Sequence, residues 1–204
     1  MIKAVVFDIG GIVIDESATA SRKILAEKYG FKAEDFSKFA KNNLEKSFIG
    51  WPAKEFFTEL KKELGLDANP EELSKEWLKL RNKTSKINNK IKNLIIKLRK
   101  RYTLVCLTNT TILNDKSKAR AEIYNLFNVT IKSTKAKAMK PQKEIYLALT
   151  GKLAEKGISP AEIVFVDNKE EYLEPAKNLG INTIFYTKYY KLLLELNKLG
   201  VKWG

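Results

Sequence analysis

The chain opens with an apolar, β-branched run over residues 2–7 that stops at Asp8 and a Gly10-Gly11 pair, the pattern of a short buried strand followed by a turn. From residue 16 to about residue 81 the apolar spacing is helical throughout. It predicts helices over 18–29, 34–46, 52–64 and 70–81. Gly30 and Gly65 follow the first and third of these, and Pro52 and Pro70 open the last two, as helix punctuation requires. Phe56, Phe57, Leu60 and Leu64 share one face of the third, so the block reads as a small helical bundle.

After Ser85 the rhythm changes to an alternation. Ile87, Ile91, Leu94, Ile95 and Leu98 define a helix over 87–100, and a strand follows over 102–107. Then come a helix over 112–127, a strand over 129–131, a helix over 141–156 and a strand over 163–166. A helix over 170–179, a strand over 181–185 and a helix over 189–199 complete the chain. Such alternation implies right-handed crossovers and a parallel sheet covered on both faces, hence an α/β, Rossmann-like doubly wound fold. The helical block becomes an insertion: a core of residues 1–15 and 86–204, and a helical cap of residues 16–85. Ligands of such sheets bind at the carboxyl ends of the strands. Asp8, Thr108 and Asp167 each fall at or just past such an end, and the insertion would sit above them as a lid, bending near Asp15-Glu16 and near Lys83 to Lys86.

Composition narrows the chemistry. With 204 residues, 44% of them hydrophobic and 30% charged, the chain can bury a core without disulfides. Its longest apolar runs fall far short of the roughly 18 residues of a membrane span. Asp8 interrupts the opening run before it could act as a signal-peptide core, so a cytoplasmic protein is expected. The single cysteine, Cys106, lies between Val105 and Leu107 and reads as a buried structural thiol. The chain has no histidine, which excludes Ser-His-Asp and Cys-His nucleophile schemes and a Cys/His zinc site within one chain. A metal here must be a hard ion held by oxygen, such as magnesium.

The net charge of +14 is concentrated, with +16 falling on residues 77–143. No acidic residue occurs between Glu76 and Asp115. The basic run over 77–101 reads either as a polyanion-binding face for nucleic acid or as a solvated helix surface. The second is preferred, because no aromatic residues interleave as a stacking platform would require.

Four segments then stand out in order: Phe7-Asp8-Ile9-Gly10-Gly11-Ile12-Val13-Ile14-Asp15, Leu107-Thr108-Asn109, Lys140-Pro141 with Glu144-Ile145-Tyr146 behind it, and Val164-Phe165-Val166-Asp167-Asn168. Together they resemble the four motifs of the haloacid dehalogenase-like (HAD) superfamily, subfamily I, whose helical cap is inserted after the first motif. The resemblance implies a phosphatase in which Asp8 attacks phosphorus and becomes an aspartyl phosphate, Thr108 and Asn109 hold a nonbridging oxygen, and Lys140 neutralises charge on the phosphoryl group. It implies magnesium held by Asp8, the carbonyl of Gly10 and Asp167, with Asn168 orienting metal-bound water. Gly11 and Trp51 are further candidates for contact with a small anionic phosphorylated substrate; Trp51 reads equally as packing within the bundle.

One departure matters. Phosphatases of this family commonly carry a second Asp two residues after the nucleophile, as general acid and base, and here that position is Gly10. The expected consequence is a slow enzyme favouring leaving groups that depart as stable anions, such as aryl, acyl or anomeric phosphates. Two other readings compete: a catalytically weak binding module using the basic 77–101 segment, and a 2-haloacid dehalogenase, whose halide leaving group needs no acid.

Overall fold

The computed structural model describes residues 1–15 and 17–204. Five parallel strands form the central sheet: β1 (Ala4–Phe7), β4 (Thr103–Thr108), β5 (Val129–Lys132), β6 (Ile163–Asp167) and β7 (Asn182–Phe185). Their order is β5-β4-β1-β6-β7, so the first strand lies at the centre. The helices that alternate with them are α6 (Asn89–Leu98), α7 (Lys118–Tyr124), α8 (Ser133–Ala136), α9 (Lys143–Ala154), α10 (Glu170–Asn178) and α11 (Tyr189–Lys198). This is a doubly wound, Rossmann-like α/β fold.

Strand periodicity divides the core. Val5 and Phe7 of β1 point to one face and pack with Ile91, Leu94, Ile95, Ile123, Leu192 and Leu196 of α6, α7 and α11. Ala4 and Val6 point to the other and pack with Ile145, Leu149, Leu153, Leu173 and Ala176 of α9 and α10. All four β1 residues are wholly inaccessible, as expected of a central strand covered twice.

Between β1 and α6 the chain forms α1 (Thr19–Tyr29), α2 (Ala33–Asn42), α3 (Leu44–Phe48), α4 (Ala53–Leu64) and α5 (Pro70–Thr84). These carry a separate apolar cluster in which Phe36, Phe39, Trp51, Phe57, Leu60, Leu73 and Trp77 meet. The chain leaves and re-enters the sheet layer through two short strands, β2 (Ile14–Asp15) and β3 (Lys86–Ile87), paired antiparallel with Ile14 opposite Ile87 and Asp15 opposite Lys86. Of the hinge segments expected from sequence, Asp15 and Lys86 pair in this ribbon, whereas Lys83 and Thr84 end α5 and Glu16 lies outside the described residues.

The elements depart from expectation in places. The helix expected over 34–46 breaks at Asn43, which has φ −110° and ψ 20° and whose side-chain amide donates to the Phe39 carbonyl at 2.9 Å. The helix expected over 112–127 is replaced by a loop, a 3₁₀ turn (Asn114–Lys116) and α7. Ser117 restarts the helix there, its hydroxyl accepting from the Arg120 N–H at 3.4 Å.

Candidate functional site

The parallel register brings Asp8, Thr108 and Asp167 to one end of the sheet. Phe7 lies beside Cys106 on β4 and Val166 on β6. The next residue along, Asp8, therefore emerges next to Leu107 and Asp167, and its N–H donates to the Val166 carbonyl at 3.0 Å. Beyond it the chain folds back tightly: the N–H groups of Val13 and Ile14 both donate to the Ile9 carbonyl, at 2.9 and 3.0 Å.

Lys140 enters from the loop between α8 and α9. Its Nζ donates to Asp8 Oδ1 at 2.8 Å and to Asp167 Oδ2 at 2.5 Å. Lys140, Asp167 and Thr108 are wholly buried, and Asp8 is 7% exposed. The ammonium lies 5.0 Å from the Tyr172 ring centroid and 5.4 Å from that of Phe165. Burial by itself would lower the Lys140 pKa, but Asp8 and Asp167 outweigh it and raise it, so the residue is a fixed cation. Burial pushes the Asp167 carboxyl up to about 6, with Lys140 pulling the other way and the Asp8 charge adding to the rise. The remaining Asp167 oxygen, Oδ1, accepts the Lys169 N–H at 3.0 Å.

Two carboxylates thus share one ammonium. With both ionised the cluster keeps one unit of negative charge in a buried setting, and the oxygens of Asp8, Asp167, Asn168 and the nearby backbone are hard donors. Such a set fits a divalent cation with oxygen preference. Among the described residues, no group of three or more Asp, Glu, His or Cys side chains gathers at this or any other point. A cation here would therefore rely on two carboxylates, with carbonyl, amide and water oxygens supplying the rest.

The Asn109 side chain is engaged by the backbone of Lys140. Its Nδ2 donates to the Lys140 carbonyl and its Oδ1 accepts the Lys140 N–H, both at 2.9 Å, so its side chain fastens the lysine loop to the end of β4. Gly11 has φ +79° and donates its N–H to the Ile14 carbonyl at 2.9 Å, which commits that amide to the turn. A Cβ at Gly11 would lie 2.5 Å from Asn168 Nδ2, so the Gly10-Gly11 turn and Asn168 are in close approach. Trp51 is not gathered around Asp8. It is 6% exposed in the aromatic cluster of the helical block, with Lys46 Nζ 3.7 Å from its ring centroid.

Some residues at the site were not anticipated. Arg120 Nη1 donates to Thr108 Oγ1 at 3.4 Å and to the Tyr124 hydroxyl at 2.9 Å, from a side chain only 2% exposed. The Tyr124 hydroxyl donates in turn to Asp115 Oδ1 at 2.7 Å, and Lys132 holds Asp115 Oδ2 at 2.8 Å. This network backs Thr108 from behind the sheet end. Its one sequence signal is the run of polar residues over 114–120 within a segment that otherwise reads as apolar helix.

The doubly wound sheet thus carries a carboxylate at the end of its central strand, a second on the neighbouring strand and a lysine between them. The family model for haloacid dehalogenase-like hydrolases matches residues 5–186, and the chain belongs to that family. A HAD family enzyme of Bacteroides thetaiotaomicron, crystallised as an aspartate-to-alanine mutant with magnesium and inorganic phosphate, is 25% identical with a TM-score of 0.74. The match covers 95% of this chain and 99% of that one. A HAD phosphatase from Thermococcus onnurineus (20% identity, TM-score 0.67, all of both chains) shares the fold. So does the L-2-haloacid dehalogenase of Xanthobacter autotrophicus (20% identity, TM-score 0.66, 99% of this chain and 85% of that one). Mouse bifunctional epoxide hydrolase 2 is 30% identical over 118 residues, which is 55% of this chain, and the match spans about a fifth (21%) of that protein. No helix among the described residues is long and apolar enough to cross a membrane.

Proposed function

We propose that this HAD-family hydrolase is a magnesium-dependent phosphomonoester hydrolase acting on a small anionic phosphorylated substrate through an aspartyl phosphate on Asp8. The observation that carries the reading is the single buried ammonium of Lys140 shared by Asp8 and Asp167, at 2.8 and 2.5 Å. A lone pair of Asp8 forms the new oxygen–phosphorus bond as the bond to the leaving oxygen breaks, and that oxygen departs with the electron pair. Water then cleaves the acyl phosphate, releasing inorganic phosphate and restoring the carboxylate. Lys140 orients Asp8 through its 2.8 Å hydrogen bond to Oδ1, and its charge faces the equatorial oxygens as the loose transition state develops. Thr108 donates its hydroxyl to one of those oxygens, held in place by Arg120. Asp8, Asp167, the Gly10 carbonyl and Asn168 would hold magnesium, which when bound supplies charge neutralisation at the phosphoryl group.

The magnesium and phosphate bound by the Bacteroides relative support this assignment. A 2-haloacid dehalogenase needs no metal, since halide departs without one, so dependence of activity on magnesium separates that reading from this one. Nucleic-acid binding through residues 77–101 is not favoured. Arg81 of that run is 2% exposed, Lys92 is paired with Glu122 at 2.6 Å, and Arg99 donates to the Asn125 carbonyl at 3.1 Å. The helices over 16–85 act as the cap over the strand ends, and the buried lone thiol accords with a reducing cytoplasm.

The test is phosphate release from aryl, acyl and sugar phosphates, with and without chelator, beside an Asp8→Asn variant. Release abolished by chelator and by the substitution is expected. Release that survives either, or its absence from a folded protein on every ester, overturns the reading.

A further inference from the structure

The strand β7 is an edge of the sheet. It pairs with β6 and, among the described residues, has no strand beyond it. The Tyr186 N–H donates inward, to the Asp167 carbonyl at 2.8 Å. Backbone groups alternate in direction along a strand, so Ile184 also turns toward β6, while the N–H and C=O groups of Thr183 and Phe185 point away from the sheet. An open row of this kind is a template for another strand.

Proteins commonly blunt such an edge with a charged residue or a proline. The opposite edge, β5, ends in Lys132, which is tied to Asp115 at 2.8 Å. On β7 the device is missing: neither a charged residue nor a proline occurs from Asn178 to Thr187, in a chain that is 30% charged. The surface beside the strand is apolar as well. Phe185 is 44% exposed, and Tyr190 and Leu194, one turn apart on α11, are each 56% exposed. Together with Thr183, Lys191 and Glu195 they line one groove between the strand and the helix. Single exposed apolar residues are ordinary, but three on one groove beside unpaired backbone mark a surface that another chain covers.

Charge selects the occupant. With a net charge of +14, and +16 on residues 77–143, two copies of this chain repel each other over much of their surface. Residues 144–204 carry eight lysines against eight acidic residues, so β7 and α11 lie in the neutral part of the chain. Within the groove the charges are self-complementary. Lys191 and Glu195 are four residues apart on α11, about one helical turn, and both line it.

We infer that this edge is the interface of a homodimer, in which the sheets of two copies join antiparallel through β7 and α11 packs beside its counterpart. A two-fold axis through Ile184, perpendicular to the sheet, sets Thr183 of each copy opposite Phe185 of the other. These residues exchange N–H···O bonds in both directions, about four in all. Ile184 lines the same groove as the helix residues, so that axis also turns α11 antiparallel to its copy. Tyr190 and Leu194 then cover each other across the seam, and Lys191 meets Glu195 of the second copy, twice over. A strand from an unrelated protein would use the open edge without needing this alternation of charge. The inference is independent of the phosphatase reading, since β7 contributes none of the residues assigned to the reaction.

Sedimentation equilibrium of the full chain, from about 1 to about 200 µM in roughly 0.15 M salt, tests the interface. Wild type should show a reversible monomer–dimer equilibrium. Phe185→Lys and Leu194→Lys should each raise the dissociation constant at least about 10-fold. Leu194 is an exposed helix residue, so that variant keeps the test open if Phe185→Lys does not fold. Leu147→Lys adds the same charge at a residue 47% exposed on α9, and should leave the constant within about 2-fold. Lys191→Glu should weaken the dimer at least about 3-fold, and the exchange of Lys191→Glu with Glu195→Lys should restore it. Hydrogen exchange should show the Thr183 and Phe185 amides becoming protected as protein concentration rises. A chain that stays monomeric throughout, one that assembles beyond two copies, or a dimer indifferent to both Phe185→Lys and Leu194→Lys overturns the inference. An exchanged pair as weak as Lys191→Glu alone overturns the antiparallel arrangement. Phosphate release, present or absent, bears on none of these outcomes.

Discussion

Asn109 and Lys140 are locked together by two reciprocal hydrogen bonds of 2.9 Å, from the side-chain amide of one to the backbone N–H and C=O of the other. They lie 31 residues apart on separate loops, and this clamp sets where the lysine ammonium meets Asp8 and Asp167. The motif residue beside Thr108 is thus a positioning group for the site's only buried cation among the described residues that contact both carboxylates.

Replacing Asn109 by Ala should therefore strand two backbone groups of Lys140. At about 1–3 kcal/mol for each unsatisfied buried group, with partial relief by water, the folded state should lose roughly 2–3 kcal/mol. A urea titration should show the midpoint fall with little change in slope. Below the new transition, kcat should fall at least 10-fold with a smaller change in KM, as for a displaced catalytic cation. An Asn109→Asp variant, which keeps the acceptor and loses the donor, should lie between the two. Equal activity in all three would refute the positioning role.

Gly11→Ala tests the turn over the strand ends. The position has φ +79°, where Ala costs about 1–2 kcal/mol, and its new methyl would lie 2.5 Å from Asn168 Nδ2. Asn168 must move, so the variant should lose magnesium affinity by several-fold besides some stability. Calorimetric titration with magnesium is the check. Unchanged affinity in a destabilised protein would separate Asn168 from the metal site.

The pH dependence follows from Asp167. Burial holds its carboxyl at about 6 in the folded protein, above its ordinary value in an unfolded chain. The folded state then binds the extra proton between about pH 4 and 6, so this group makes the metal-free protein less stable as pH rises through that window. Magnesium must displace the same proton. Its affinity should increase from pH 5 to about 6 and level off above, with about one proton released per ion at the low end. A flat affinity from pH 5 to 7.5 would contradict Asp167 as a ligand.

The alternation of strands and helices after Ser85 was legible because each strand is a short apolar run ended by a turn, and because Asp8, Thr108 and Asp167 fall where strands stop. The β2–β3 ribbon was not, since two residues per strand carry no periodicity. The break at Ser117 could be read in retrospect as a helix start, but the apolar residues on either side of it kept helical spacing and masked it. At the site, motif order placed the lysine and both carboxylates. The clamp of Asn109 and the Arg120–Tyr124–Asp115 network depend on which loops lie side by side, and no local pattern encodes that.

Gly10→Asp asks how the site works without a second acid. Gly10 is half-buried two residues beyond Asp8 and bridges to Ile14; a carboxyl there would take the place where phosphatases resembling this chain commonly carry their second Asp. A positioned proton donor is worth about 10²–10⁴ in rate when the leaving group is a poor one. For an alkyl phosphate the departing alkoxide needs that proton, and the variant should gain at least 10-fold. For an aryl phosphate bond breaking is already easy without it, and the gain should be less than 3-fold. Dephosphorylation of Asp8 should also quicken, because the same carboxylate activates the attacking water. Rapid quench and mass spectrometry should therefore detect phosphorylated Asp8 in the natural chain and less of it in the variant. Wild type that hydrolyses alkyl phosphates as fast as aryl ones, with no gain from the substitution, would show that another group already supplies the proton.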